Sequence, residues 1–116
     1  MEKEIELTAE EKSLQERHAR AKASGAKVAI MVDVNGVSKI LYCKEPHRKT
    51  TGIYYNAIDV DMVEANYNLV RASTISEVSD IELFQDTSNS TYLAIAKNAS
   101  SVVELIEVKK STSLTL

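Results

Sequence analysis

The chemistry that this sequence could support begins with Cys43 and His47, which are close together in the chain. A cysteine beside a histidine can form a thiolate–imidazolium pair, the nucleophile of many covalent enzymes. Such a pair also needs a group that orients the imidazole and an oxyanion site, and the sequence shows neither. Because a free cysteine at a strand end usually packs as a small apolar side chain, we predict that Cys43 is structural and that the chain has no catalytic residue.

Metal ligands are equally sparse. The two histidines, His18 and His47, and the single cysteine have no standard zinc spacing. Asp59, Asp61 and Glu64 resemble part of a cation site, but the glycine and the distant bidentate glutamate of a calcium loop are missing. Helix capping explains these carboxylates more simply. We therefore predict neither a metal site nor a cofactor.

Length and composition restrict the class of protein further. The chain has 116 residues, which fits one domain, and only 5% of them are aromatic, which predicts an aliphatic core. The formal net charge of −3 argues against nonspecific nucleic-acid binding. The N-terminus lacks the apolar segment of a signal peptide, and no apolar run approaches the ~20 residues of a membrane span. These features predict a cytoplasmic protein with neither a nucleic-acid nor a membrane partner.

The first element that would position these residues is a β-hairpin. Apolar residues alternate from Val28 to Val34, as in a strand, and Asn35-Gly36 suits a type I′ turn. The sequence predicts an α+β fold in which this hairpin packs with three to four helices. The predicted strands are 27–34 and 37–43, and the predicted helices are 9–23, 47–57, 60–72 and 90–108. The predicted organisation is a charged N-terminal helix in 1–25, loosely docked or awaiting a partner, a single domain over 26–110 and a flexible tail over 111–116.

A basic patch, His47-Arg48-Lys49, falls where the second helix is predicted to begin. Cations in the first turn of a helix face the positive end of its dipole, which is unfavourable. Either the chain's own carboxylates compensate these charges, or the charges bind an acidic partner. The sequence leaves both interpretations open.

The order of the elements, together with three segments, carries a resemblance to a known family. The segments are Lys27-Val28-Ala29-Ile30-Met31-Val32-Asp33-Val34-Asn35-Gly36, Tyr42-Cys43-Lys44-Glu45-Pro46-His47-Arg48 and Ala65-Asn66-Tyr67-Asn68-Leu69-Val70. The second segment holds the compact motif Tyr-x-Lys-x-Pro-x-Arg. The chain resembles the small tail assembly chaperone-like proteins of tailed bacteriophages and prophages over nearly its whole length.

This resemblance implies a nonenzymatic protein of the host bacterial cytoplasm that keeps the tape-measure protein soluble until the tail tube assembles. The expected partner is the tape-measure protein or another tail protein, and homo-oligomerisation is left open. The candidate partner-binding residues are Tyr42, Lys44, Arg48 and Lys49. The N-terminal helix and any unburied face of the C-terminal helix are candidate surfaces. The alternatives are a small structural virion protein for head or tail completion and, less favoured, a small enzyme.

Overall fold

The computed structural model describes residues 8–106 and 113–115. It confirms the predicted α+β fold with one antiparallel hairpin. Within the described ranges, no helix combines the length and apolar composition that crossing a membrane requires. The elements in chain order are α1 (Ala9–Ala23), β1 (Val28–Val34), β2 (Val37–Cys43), α2 (Arg48–Ala57), α3 (Met62–Ser73), a 3₁₀ turn (Ile81–Phe84), α4 (Asn89–Lys97), α5 (Ser100–Val103) and a second 3₁₀ turn (Glu104–Ile106).

The hairpin forms where the sequence predicts it. Asn35 and Gly36 both have positive φ, 52° and 80°, as the two central residues of a type I′ turn require. This turn sets the register, which pairs Val34 with Val37 next to the turn and Val28 with Cys43 at the open end. A register fixed in this way decides which side chains share each face of the sheet.

One face of the hairpin carries the main core. Ile30 and Val32 of β1 and Leu41 and Cys43 of β2 are buried there. The opposing side chains are mostly aliphatic, as predicted, and except for Tyr54 of α2 they come from the second half of the chain: Ala65, Leu69, Val70, Leu83, Ile95, Ala99 and Val102. An isolated hairpin is marginal in water, so this apolar layer provides the stability that the two strands lack.

The other face of β2 is covered by α1, whose own apolar surface is small. Ala21 packs against Ile40 and Tyr42 in a second buried cluster. The Arg17 guanidinium adds polar contacts: its Nη2 lies 3.0 Å from Asp80 Oδ1 and donates to the Val78 carbonyl at 3.1 Å. The guanidinium also lies 5.5 Å from the centre of the Tyr42 ring. Polar anchoring therefore compensates for the poor apolar content of α1.

The outer edge of β2 is sealed by the segment that follows α3. The Ile75 N–H donates to the Tyr42 carbonyl at 2.8 Å, and the Asp80 N–H donates to the Ile40 carbonyl at 2.9 Å. In return, the Ile40 N–H donates to Asp80 Oδ2 at 2.8 Å, and the Tyr42 N–H donates to Ser79 Oγ at 2.9 Å. Unpaired strand edges invite association with other chains, and this edge is satisfied internally.

The C-terminal helical region differs from the single predicted helix over 90–108. Helix α4 ends at Lys97, because Asn98 leaves the helical conformation (ψ 6°) and its side-chain amide donates to the Ala94 carbonyl at 2.8 Å. The chain then continues through α5 and the second 3₁₀ turn. Residues 107 and 108 lie outside the described residues, as does the predicted tail except for 113–115, which are exposed and in neither helix nor strand.

The main apolar side chains of that region nevertheless point inward. Ile95 and Val102 are buried completely in the core, and Ala99 almost completely. The break at Asn98 changes the path of the backbone without moving these positions out of the core. Consequently, this face is not a free surface for a partner.

We predict that Arg17→Ala lowers the free energy of unfolding by about 1–2 kcal/mol, because it removes a partly buried ion pair and a charge-assisted hydrogen bond. Amide exchange in α1 should accelerate more than exchange in β2. Chemical denaturation and hydrogen exchange would measure both effects. Arg20→Ala, which truncates an exposed arginine of the same helix, is the matched control and should change stability by less than about 0.5 kcal/mol. Equal effects of the two substitutions would contradict the anchoring role of Arg17.

Candidate functional site

Cys43 lies inside the core and is completely buried. Its Sγ is 3.7 Å from Thr74 Oγ1 and 3.9 Å from the Val70 carbonyl oxygen. Burial raises the pKa of the Cys43 thiol, outweighing the opposite effect of the Thr74 hydrogen bond. The thiol is therefore held in its neutral, poorly nucleophilic form.

His47 has a different structural task. It is the N-cap of α2, where its Nδ1 accepts a hydrogen bond from the Lys49 N–H at 3.1 Å. Among the described residues, no hydrogen bond joins this imidazole to Cys43, and no group of three His, Cys, Asp or Glu side chains is arranged to hold a metal ion. Cys43 and His47 therefore have separate structural roles: Cys43 packs in the core, and His47 caps α2.

The surface feature with the clearest binding geometry is a groove between α2 and α3. Thr50 and Ala72 line one end of it, and Ala57 and Ala65 line the other, so the two helices run antiparallel along its length. The groove encloses about 260 Å³, less than the roughly 300–1,000 Å³ typical of small-molecule sites. Its full lining is Thr50, Ile53, Tyr54, Ala57, Ala65, Asn68, Leu69 and Ala72, six of which are apolar or aromatic.

The shape of this groove follows from residue size and helical spacing. The lining positions recur at three and four residues along each helix, so they form one stripe on α2 and one on α3. Alanines at 57, 65 and 72 leave room between the helices. Tyr54 closes the floor: its side chain is buried, and its hydroxyl donates to Asn66 Oδ1 at 2.9 Å.

Exposed apolar side chains are frequent in the segment that forms the end of α2, the turn and the start of α3. Ile53, which lines the groove, is 59% exposed. In the described part of the chain, half of the large exposed apolar side chains fall between residues 53 and 63: Ile53, Tyr55, Val60, Met62 and Val63. Of these five residues, Ile53 is the one that lines the groove, and it supplies an exposed apolar contact there.

Basic residues lie at one end of the groove. Arg48 and Lys49 begin α2 and are exposed. The Lys44 N–H donates to the Ser73 carbonyl at 2.9 Å, which places Lys44 beside the last turn of α3. The backbones of three of the four predicted partner-binding residues, Lys44, Arg48 and Lys49, therefore lie near the end of the groove formed by the start of α2 and the end of α3, although none of the three lines it.

Acidic residues lie at the opposite end, in and after the turn between α2 and α3. Asp59, Asp61 and Glu64 are all exposed there. Asp61 caps α3, because its Oδ1 accepts from the Glu64 N–H at 3.1 Å, as its position in the sequence predicts. The groove is consequently polarised along its axis, from basic to acidic.

Tyr42, the fourth predicted partner-binding residue, lies elsewhere. It is 2% exposed, and its hydroxyl is hydrogen-bonded to His18 Nδ1 of α1. It therefore holds α1 on the hairpin and does not reach the groove. Ile53, Ala65 and Leu69 line the groove but were not among the predicted partner-binding residues, and Ala65 and Leu69 also belong to the core. The spacing of three and four residues along each helix was the sequence signal for this stripe.

No protein-family model, curated protein or solved structure matches this chain. An apolar floor, an exposed apolar rim and opposite charges at the two ends suit a short helical segment of another protein. Nothing at the groove resembles a nucleophile with its base.

We predict that the Cys43 thiol resists modification in the folded protein at neutral pH, because it is buried and its raised pKa leaves almost no thiolate. Titration with a disulfide reagent at pH 7 should label the native chain at least about a hundredfold more slowly than the chain in denaturant. Because the pKa of Cys43 is raised in the folded state, its contribution to stability is fully present below the ordinary thiol pKa and is lost as pH rises through the raised pKa. Rapid native labelling would contradict the structural assignment of Cys43.

Proposed function

We propose that this protein is a nonenzymatic assembly protein of a tailed phage or prophage, a tail assembly chaperone that binds an apolar helical segment of the tape-measure protein. The α2–α3 groove is the observation that carries the proposal, because it offers an apolar, open and polarised seat for such a segment. The order of the elements and the Tyr-x-Lys-x-Pro-x-Arg motif support the same class of protein. Tape-measure proteins are long and helical, so an unassembled one exposes apolar faces that must be covered reversibly.

The dimensions of the groove suit a helix of about three turns. Helix α2 has ten residues and is therefore about 15 Å long. A ligand helix of that length presents apolar side chains at positions i, i+3 or i+4 and i+7, which matches the spacing of the lining residues. Burying one exposed side chain such as Ile53 contributes about 1–2 kcal/mol, so a few anchors give a reversible complex.

Charge determines the direction in which the segment binds. The N-terminus of a helix carries partial positive charge and its C-terminus partial negative charge. The ligand N-terminus is therefore favoured at the acidic end, near Asp61 and Glu64, and its C-terminus at the basic end, near Arg48 and Lys49. In this orientation the bound helix runs parallel to α3.

We predict that Ile53→Asp weakens binding of the tape-measure protein at least about tenfold, because it places a charge on the apolar rim. Ile53 is exposed, so the variant should fold normally. Co-expression should yield a soluble complex with the native chain and little complex with the variant, and titration calorimetry on the purified pair would give the affinities. Leu93→Asp on α4 is the matched control, because Leu93 is exposed but does not line the groove.

Two outcomes would contradict this assignment. If the native chain forms no complex with the tape-measure protein of its own phage, the chaperone role is wrong. If Ile53→Asp and Leu93→Asp bind equally well, the groove is not the binding site. Mass spectrometry of purified virions separates the alternative function, because a structural completion protein remains in the particle whereas a chaperone does not.

We predict that reversing both basic charges, Arg48→Glu with Lys49→Glu, weakens the complex roughly tenfold at low salt and much less at 0.5 M salt, where screening is strong. The reversal removes favourable charges facing the C-terminal end of the ligand helix. Affinity measured at the two ionic strengths checks the prediction. Lys12→Glu with Lys97→Glu makes the same change in net charge on exposed residues away from the groove and should have little effect. Unchanged binding in the first double variant would exclude a recognition role for the patch.

A further inference from the structure

The two edges of the hairpin are unequal. Segment 74–80 satisfies the outward backbone groups of Ile40 and Tyr42 on β2. In the observed register Ile40 lies opposite Met31, and Tyr42 lies opposite Ala29. In such pairs both residues direct their N–H and C=O groups away from the partner strand, so those of Ala29 and Met31 point away from β2. Along 8–106 and 113–115, no hydrogen bond reaches those groups of β1.

The residues on this open edge are also accessible. Ala29, Met31 and Asp33 are exposed, and Met31 is 54% exposed. Strand β1 has seven residues, contains no proline and carries a single charge, Asp33. Proteins usually protect such an edge with proline, a bulge, lysine or a covering segment. An accessible strand without these devices is suited to pairing with another strand.

We propose that two copies of this protein associate by antiparallel pairing of β1 with β1, with Met31 at the two-fold axis. The pairing joins the two hairpins into one four-stranded sheet in the order β2-β1-β1-β2. Its ladder pairs Met31 with Met31 of the second copy, and Ala29 with Asp33 of the second copy. Three such pairs supply about six interchain backbone hydrogen bonds.

Charge complementarity favours a second copy as the occupant. Lys27 precedes β1 and Asp33 lies near its other end, and both side chains are exposed. Antiparallel pairing about Met31 places Lys27 diagonally across from Asp33 of the second copy, within the reach of a long side chain. The same contact occurs twice, as an isologous interface requires. A parallel arrangement would instead place like charges together.

Closure provides a second argument. Because segment 74–80 seals the outer edge of β2, each hairpin offers one open edge among the described residues. Pairing of the two open edges therefore stops at a dimer and does not propagate into a fibre. Met31 of each copy lies on the face that bears Ile40, and the two Met31 side chains would cover one another there. This inference does not depend on the proposed partner, since the α2–α3 groove is formed by other residues.

Sedimentation velocity of the full chain, from about 1 µM to about 500 µM, tests the dimer. We predict a concentration-dependent monomer–dimer equilibrium for the native protein. Met31→Lys should weaken it at least about tenfold, because two ammonium groups would meet at the axis. Val37→Lys is the matched control: Val37 is also 54% exposed, but it lies next to the turn, away from the open edge. It should leave the equilibrium unchanged.

A charge exchange tests the register. Asp33→Lys should weaken the dimer, because the new ammonium group would lie near Lys27 of the second copy. Adding Lys27→Asp to the same chain should restore the dimer. This rescue keeps the test valid even if a single variant is less stable. A native chain that is monomeric throughout the range would overturn the proposal, as would a dimer that tolerates Met31→Lys. Slow exchange of the Met31 amide in a monomer would also overturn it, because the chain itself would then cover the edge.

Discussion

The structure depends on how the outer edge of β2 is satisfied. Two strands alone do not make a stable sheet, and their outward backbone groups would compete for water or for other chains. Here the segment after α3 returns along β2 and pairs with the backbone of Ile40 and Tyr42. Because Asp80 and Val78 of that segment also bind Arg17, the same contact positions α1. The segment that seals the edge of β2 therefore also holds α1 in place.

Among residues 8–106 and 113–115, that arrangement leaves two separate surfaces uncovered. Helix α1 and segment 74–80 cover β2, and the helices of the second half cover the core face of the hairpin. The open edge of β1 and the α2–α3 groove are left accessible. The first offers unsatisfied backbone groups and the second an apolar floor, so the two surfaces suit different kinds of contact: strand pairing in one case and a helical segment in the other.

The tertiary context decides the role of each side chain that could have taken part in catalysis or metal binding. Cys43 is buried in the core, His47 caps α2 and Asp61 caps α3. Each of these side chains satisfies a local structural requirement. Among the four residues predicted to bind a partner, Tyr42 anchors α1, whereas the backbones of Lys44, Arg48 and Lys49 lie near one end of the groove without lining it. Among the described residues, no group of three His, Cys, Asp or Glu side chains is arranged to hold a metal ion.

The sequence by itself determined several local elements: the Asn35-Gly36 hairpin, the aspartate cap of α3 and the aliphatic core, because turn geometry, capping and periodicity act over a few residues. The break at Asn98 was not predicted; there the side-chain amide donates to a carbonyl of the preceding turn and competes with the helix backbone. Only the tertiary structure decided which edge of the hairpin is sealed and which helices flank a groove. Those outcomes depend on contacts between residues far apart in sequence, such as Ile40 with Asp80, and no local pattern records them.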